Sequence, residues 1–289
     1  MSAFNHGLSR PKRRCRSVGD RAAARSASLR PTSPRSTAAA RLVAAALLAA
    51  MALSCLFVAA CGGQSSTTVT SATQDTVSAA GRAVSFTTED GVTLGGHVFG
   101  SGDAGVVLAH MYPADQSSWY ATAERLAQEG YLVLTFDFRG YGESGGVKQI
   151  DLIDRDVSAA VTAIRGEGAA EVVLAGASMG GTASLIAGDR AQALSSIRLA
   201  GIATLSAPVE FRGLSAADAV PRIMVPLLLI AAEGDEGAAG ARELERLSSG
   251  KGDLEIVPGS DHGTDLLVGD QAEKVYGLLQ GFIKDSLAP

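Results

Sequence analysis

The segment Val172-Val-Leu-Ala-Gly-Ala-Ser178-Met-Gly-Gly181 is the most informative part of the sequence for the fold. An apolar, β-branched run leads directly into Ser178, and a helix-compatible segment follows at once. The pattern G-x-S-x-G is typical of a serine on a sharp strand-to-helix turn, where glycines let neighbouring backbones pass closely. A serine at the start of a helix also lies beside free N–H groups and the helix dipole, which stabilise an oxyanion. The stretch therefore predicts that Ser178 is a nucleophile.

A second G-x-S-x-G pattern occurs at residues 142–146, with Ser144 at its centre. The chain is rich in glycine and serine, so the bare pattern is weak support for catalysis. The residues from Arg139 to Glu143 separate Ser144 from the preceding strand-like run, and no helix begins directly after it. We interpret Ser144 as a loop residue.

Strand and helix signals alternate on both sides of the Ser178 stretch. Repeated β–α alternation predicts an α/β fold with a doubly wound, mostly parallel sheet and helices on both faces. Two opening strands around Glu89-Asp90-Gly91 predict an antiparallel hairpin at one edge. Strands are predicted at 83–88, 92–99, 105–110, 131–138, 171–175, 199–205, 226–231 and 253–257, and helices at 115–128, 152–164, 179–187, 239–247 and 271–287.

Asp235 is the candidate acid. It follows the apolar run 226–234, and a carboxylate at the carboxyl end of a parallel strand points to where such sheets bind ligands. A plain turn aspartate is the alternative interpretation. Glu233 and Glu236 are competing acids.

His262 is the candidate base. It lies just past the last predicted strand and follows both Ser178 and Asp235 in the chain. The order Ser, Asp, His is that of hydrolases with a strand-to-helix nucleophile turn. In such a triad the histidine takes the serine proton, and the aspartate orients the imidazole ring and stabilises the imidazolium.

Four motifs resemble those of bacterial α/β-hydrolases of the dienelactone-hydrolase or lysophospholipase-like kind. The resemblance covers about residues 83–287 and implies an α/β-hydrolase fold with no metal ion and no cofactor. The glycine-rich loop 140–146 lacks the lysine and the following helix of a phosphate-binding loop. The motifs are HMYP at 110–113, FDFRGYGES at 136–144, GASMGG at 176–181 and PGSDHG at 258–263.

The resemblance also implies an oxyanion hole. Matched residue by residue, its two donors are the backbone N–H groups of Tyr112 and Met179. Met111 stands where that family usually has glycine. Asp137 and Arg139 match positions that are structural in the family.

Many members of that family carry a cap of several dozen residues after the strand that ends here near Leu205. This chain has only residues 206–225 before the next strand, so we expect little or no cap. We expect an open site lined by Tyr112, Trp119, Met179 and Phe211. A shallow site favours acyl groups of small to medium size.

The N-terminal part reads as an export signal. Residues 1–41 carry ten Lys and Arg, and the uncharged run 42–60 ends in Val58-Ala59-Ala60 before Cys61, which resembles a bacterial lipobox. We expect a signal peptide at 1–60, lipidation of Cys61 and a Ser/Thr-rich flexible tether at 61–81, with the hydrolase domain at 82–289. An uncleaved membrane anchor or ordinary secretion are the alternatives.

Charge narrows the range of partners. From Cys61 to Pro289 the chain has 15 Lys and Arg and 29 Asp and Glu, a net charge of 15 − 29 = −14. This net negative charge argues against nucleic acid as a partner. For the same reason we expect the site to prefer neutral or cationic esters over anionic ones. All three cysteines lie at or before Cys61, so neither a thiol nucleophile nor a disulfide framework is expected in the domain.

The leading hypothesis is a serine hydrolase that cleaves small-molecule carboxylic esters, held at the membrane by a lipid anchor. A peptidase or amidase using the same triad is one alternative. A surface lipoprotein that keeps the fold as a non-catalytic binding module is the other.

Overall fold

The computed structural model describes residues 81–288. The predicted signal peptide, Cys61 and all of the tether except Gly81 lie outside the described residues. Within the described part of the chain, no helix has the length and apolarity needed to cross a membrane.

An eight-stranded sheet forms the centre of the domain, in the order β1-β2-β4-β3-β5-β6-β9-β10. The pairs β1–β2 and β2–β4 are antiparallel, and all other neighbours run parallel. The strands are β1 (Arg82–Thr87), β2 (Thr93–Phe99), β3 (Ala104–Ala109), β4 (Leu132–Phe136), β5 (Glu171–Ala177), β6 (Arg198–Leu205), β9 (Leu227–Ala232) and β10 (Gly252–Val257). The predicted α/β-hydrolase sheet with an antiparallel hairpin at its start is confirmed.

Helices cover both faces of this sheet, and each face has its own apolar core. One core includes residues of α2 (Ile153–Gly166), α3 (Met179–Ala191) and α4 (Gly237–Leu247). The other includes residues of α1 (Tyr120–Gln128) and α5 (Ala272–Ser286). The central strands β3, β4, β5, β6 and β9 are buried almost throughout, which explains why their sequences are continuous apolar runs instead of alternating ones.

Two local features differ from the pattern expected from the sequence. The predicted helix at 115–128 is divided into a 3₁₀ turn, Gln116–Trp119, and α1. Asp115 accepts a hydrogen bond from the Ser117 N–H and so caps the 3₁₀ turn. The segment 206–225 is as short as expected, but it contains a small hairpin of β7 (Glu210–Phe211) and β8 (Leu214–Ser215).

A buried ion network holds the loop after β4. The Arg139 guanidinium donates to Asp156 on α2 and to Asp90 in the β1–β2 turn, with N–O distances of 2.7 to 3.0 Å. Burial raises the pKa of Asp156, whereas the hydrogen bond from Arg139 lowers that of Asp90. A buried arginine with two carboxylate partners has a structural role here, as the resemblance implied.

Candidate active site

Ser178 lies in the turn between β5 and α3, in a backbone conformation that is rare for a residue other than glycine (φ 49°, ψ −119°). The turn is too crowded for side chains on either side. A Cβ atom at Gly176 would lie 2.4 Å from the Gly180 carbonyl oxygen, and one at Gly180 would lie 2.5 Å from the carbonyl oxygens of Ala109 and His110. Close contacts between backbones thus require the two glycines of the G-x-S-x-G pattern. The tight turn that they allow places Ser178 at the carboxyl end of β5.

The three residues predicted to form a triad lie in hydrogen-bonding contact. The His262 Nε2 atom is 2.9 Å from Ser178 Oγ, and His262 Nδ1 is 2.8 Å from Asp235 Oδ1. Asp235 follows β9, and its side chain is 3% exposed, while that of His262 is 29% exposed and so open to a substrate. With Nδ1–H donating to Asp235, Nε2 is free to accept the Ser178 proton.

The competing residues lie elsewhere. Ser144 Oγ donates to the Asp137 carbonyl at 2.5 Å and accepts the Gly95 N–H at 2.9 Å, so the hydroxyl ties a loop to β2. Glu233 and Glu236 are exposed. The Asp137 carboxylate accepts hydrogen bonds from Gln116 and from the Glu143 N–H, which is a structural role.

The predicted oxyanion loop adjoins the nucleophile turn. Met179 is the first residue of α3, so its N–H lies at the free amino end of that helix. The carbonyl groups of Ala109 and His110, just before Met111 and Tyr112, face Gly180 at the start of the same helix. The two expected donors therefore belong to segments that pack on each other.

Met111 in this loop packs against the loop that carries His262. A Cβ atom at Gly263 would lie 2.6 Å from Met111 Sδ, and Gly263 has a φ of 58°. The methionine that replaces the usual glycine is accommodated because the residue facing it is itself glycine. The two loops thus meet directly beside the base.

The residues expected to line the site divide into two groups. Trp119 does not line it, because its side chain is fully buried in the core beneath α1 and α5. The Met179 side chain is also fully buried, so only its backbone faces the turn. Tyr112 and Phe211 lie together, with ring centroids 5.9 Å apart, which places the β7–β8 hairpin against the oxyanion loop.

The His110 side chain fixes the loop that contains Met111 and Tyr112 through two hydrogen bonds. Its Nε2 accepts the Phe138 N–H at 3.1 Å, so Nδ1 carries the hydrogen and donates to the Met111 carbonyl at 2.9 Å. The side chain is fully buried, and burial lowers its pKa. Sequence reasoning missed this role, although a histidine at the end of a buried strand was its visible signal.

We expect the stability of the fold to depend on pH through His110. A buried neutral histidine has a folded pKa below its unfolded value of about 6.5, so its contribution is complete above that pH and is lost as the pH falls below it. His110→Gln should be less stable than wild type at pH 7.5, and the gap should narrow by about 1 kcal/mol or more by pH 5.5. Urea unfolding of both proteins at both pH values measures this difference in the free energy of unfolding. A difference that does not change with pH would contradict the assignment of His110 as a buried neutral histidine.

Asp235 has a second neighbour that sequence reasoning missed. Its Oδ2 atom and the Ser206 hydroxyl are both buried, and neither has a hydrogen-bond partner among the described residues. Asp235 and Ser206 both lie next to Gly237, because a Cβ atom there would be 2.6 Å from Asp235 Oδ2 and 2.7 Å from Ser206 Cβ. Ser206 also has a φ of 56°, which is unfavourable for a side chain. Because the two buried groups lie on either side of the same small space, we expect the hydroxyl to donate to Oδ2 through one bridging water molecule.

Two substitutions at Ser206 separate this role from packing. Ser206→Ala and Ser206→Gly both remove the hydroxyl, and we expect each to lower kcat/KM about tenfold, the effect of one hydrogen bond to a charged group. Ser206→Gly also relieves the positive φ, so it should be more stable than Ser206→Ala by about 1 kcal/mol. Steady-state kinetics and urea unfolding measure both effects. Unchanged kcat/KM in both variants would rule out a role for the hydroxyl.

Comparisons with known proteins bear on the family and the fold of this chain. Residues 100–228 match the family described as serine aminopeptidase, S33. No curated protein matches the sequence significantly. Among solved structures, an esterase of Pyrococcus furiosus is similar with a TM-score of 0.61 and 22% identity, over 71% of this chain and 91% of that one.

Two further structures share the fold. A putative aryl esterase of Burkholderia cenocepacia has a TM-score of 0.61 and 17% identity, over 72% of this chain and all of the other. An enol-lactonase of Burkholderia xenovorans has a TM-score of 0.57 and 16% identity, over 69% and 99%. At these identities the likeness establishes the fold.

Proposed function

We propose that this chain, a serine hydrolase of the α/β-hydrolase superfamily, hydrolyses carboxylic esters of small to medium acyl groups through Ser178, Asp235 and His262. The proposal rests on one observation above all, the continuous contact from Asp235 through His262 to Ser178 Oγ at 2.8 and 2.9 Å. Hydrogen bonds of these lengths are what a general base needs to take a serine proton.

The reaction follows from that contact. His262 Nε2 accepts the proton of Ser178 Oγ as the oxygen attacks the ester carbonyl, and the N–H groups of Tyr112 and Met179 are proposed to hold the resulting oxyanion. The carbonyl reforms as the alcohol leaves with the proton from His262. Water then attacks the acyl-enzyme, gives its proton to the same nitrogen, and releases the acid as Ser178 regains its hydrogen.

Esters are favoured over amides because the similar structures are esterases and an enol-lactonase. The matching family is named for a serine aminopeptidase, which keeps amide cleavage as the second candidate. The segment between β6 and β9 supports short acyl groups. It contains two 2-residue strands and a 3₁₀ turn, Val220–Arg222, which can cover one side of a site but not enclose it.

An ester panel tests this function. With p-nitrophenyl esters we expect kcat/KM to rise to about butyrate or hexanoate and then fall, as each buried methylene adds about 0.8 kcal/mol until the wall is reached. Ser178→Ala should abolish turnover and labelling by a fluorophosphonate. Ser144→Ala is the matched control, expected to keep both while losing about 1 kcal/mol of stability with its hydrogen bonds.

The opposite pattern is equally informative. Turnover that survives in Ser178→Ala would refute the proposed nucleophile. A maximum at palmitate would show a deeper pocket, and p-nitroanilides cleaved faster than the matched esters would favour the peptidase alternative.

We also propose that the protein is exported and held at the outer face of the bacterial cell membrane by lipidation of Cys61. The support is the sequence Val58-Ala59-Ala60-Cys61 after a basic and then an apolar segment. Two or more acyl chains give stable attachment. Cys61→Ala should move the protein from the membrane fraction to the medium or leave it unprocessed. A mature N-terminus other than Cys61, found by mass spectrometry, would refute the proposal.

A further inference from the structure

The turn of the β7–β8 hairpin places an arginine beside the oxyanion loop. Arg212 and Gly213 form this two-residue turn, and both have positive φ values, 48° and 91°. Such turns favour asparagine or glycine, because other side chains are strained there by about 1 kcal/mol. The hairpin thus carries a cation at a position where an uncharged residue would be more stable.

The arginine side chain lies over the loop that is proposed to bind the substrate carbonyl. Its guanidinium carbon is 4.3 Å from the centre of the Tyr112 ring and 5.2 Å from that of Phe211. Tyr112 is also the residue whose N–H is proposed to hold the oxyanion. Arg212 thus contacts the side chain of a residue whose backbone belongs to the loop beside the nucleophile turn.

A second cation lies on the other flank of the same loop. Lys148 Nζ is 3.9 Å from the centre of the Tyr141 ring, and Tyr141 packs on His110, two residues before Tyr112. Within residues 81–288, neither Arg212 nor Lys148 forms a salt bridge with a carboxylate, which is also true of Arg165, Arg242, Lys251, Lys274 and Lys284. Two cations without carboxylate partners flank one loop.

This local charge is opposite to that of the domain. From Arg82 to Pro289 the chain has 15 basic and 28 acidic residues, a net charge of 15 − 28 = −13. Close contacts outweigh distant charges in salt, since charges beyond about 10 Å are screened at 0.1 M. Groups beside the site can therefore outweigh the net charge of the domain, from which a preference for neutral or cationic esters was expected.

We propose that Arg212 selects esters that carry an anionic group, a carboxylate several bonds from the scissile carbonyl, with Lys148 adding to the field. This inference rests on the proposed ester hydrolysis at Ser178 and names its substrate class. The Arg212 guanidinium offers paired N–H donors that match a carboxylate, and its stacking on Tyr112 holds it in place. Arg212 is thus a specificity-determining residue.

Asp151 is an acid that lies beside the turn. A Cβ atom at Gly213 would lie 3.7 Å from Asp151 Cβ. Its carboxylate makes no salt bridge with Arg212, and it opposes an anionic substrate. Removing that charge should therefore strengthen the preference.

Two pairs of esters that differ in one charge test the proposal with the purified full-length protein in non-ionic detergent. One pair is mono-4-nitrophenyl adipate and its methyl ester, with the charge on the acyl side. The other is 4-acetoxybenzoate and its methyl ester, with the charge on the alcohol side. The quantity measured is the ratio of kcat/KM for the anionic ester to that for the neutral one.

In at least one pair we expect Arg212→Asn to lower this ratio about five- to tenfold, as for one unit charge at short range near a surface. Asparagine suits the turn, so this variant should fold at least as well as wild type. Arg212→Lys should keep most of the ratio, and Asp151→Asn should raise it. Lys284→Gln removes an exposed charge near the end of α5, which contacts Arg198 at the start of β6, opposite the strand ends that carry the triad, and should change nothing.

Binding to the inactive Ser178→Ala protein separates this inference from the proposed function. Monomethyl adipate, measured by titration calorimetry, should bind more weakly when Arg212→Asn is added. If no ester is cleaved but this difference holds, the proposed function fails and the anion site stands. If esters are cleaved and both ratios stay within twofold in Arg212→Asn, the inference about Arg212 is overturned.

Discussion

The rest of the site depends on a contact between two pieces of backbone. The turn after β5 lies so close to the end of β3 that Gly180 has no room for a side chain against the carbonyls of Ala109 and His110. This contact sets the start of α3 beside the loop that follows β3, and the two proposed oxyanion donors belong to those segments. It also holds Ser178 in a conformation that an isolated chain would rarely adopt. The sheet and its two cores supply the rigidity that such a strained turn needs.

Around this turn, polar groups connect loops that apolar packing alone would leave free. His110 joins the loop after β3 to the loop after β4, and Asp137 and Ser144 tie that second loop to Gln116 and β2. Arg139 then links it to α2 and to the first hairpin. His110, Asp137 and Arg139 are buried, Ser144 is partly buried, and all four have hydrogen-bond partners, so each fixes one geometry. The reactive residues themselves come from three different strand ends, which a scaffold of this kind can hold to within a fraction of an ångström.

Much of this could be predicted from the sequence, because the determinants are local. Continuous apolar runs revealed the buried strands, and the antiparallel start followed from the turn at Glu89-Asp90-Gly91. The contact of Ser178, Asp235 and His262 agrees with their order and their places after strands. Trp119 was misplaced because helical spacing shows that a residue faces a core but not which face of the sheet that core covers. The roles of Ser206 and Arg212 depend on contacts between distant segments, and neither residue lies in a motif.

The contact between Met111 and Gly263 constrains how this site can change over time. Met111 occupies the space that a side chain at 263 would need. The substitutions that are tolerated at these two positions therefore depend on each other. A residue larger than glycine at 263 would push against the methionine and displace the histidine next to it. Replacing Met111 by a small residue first would remove that clash and leave only the strain of a side chain at a positive φ. The order in which substitutions arise at these two positions therefore matters, because a change at 263 costs less once the residue at 111 is small.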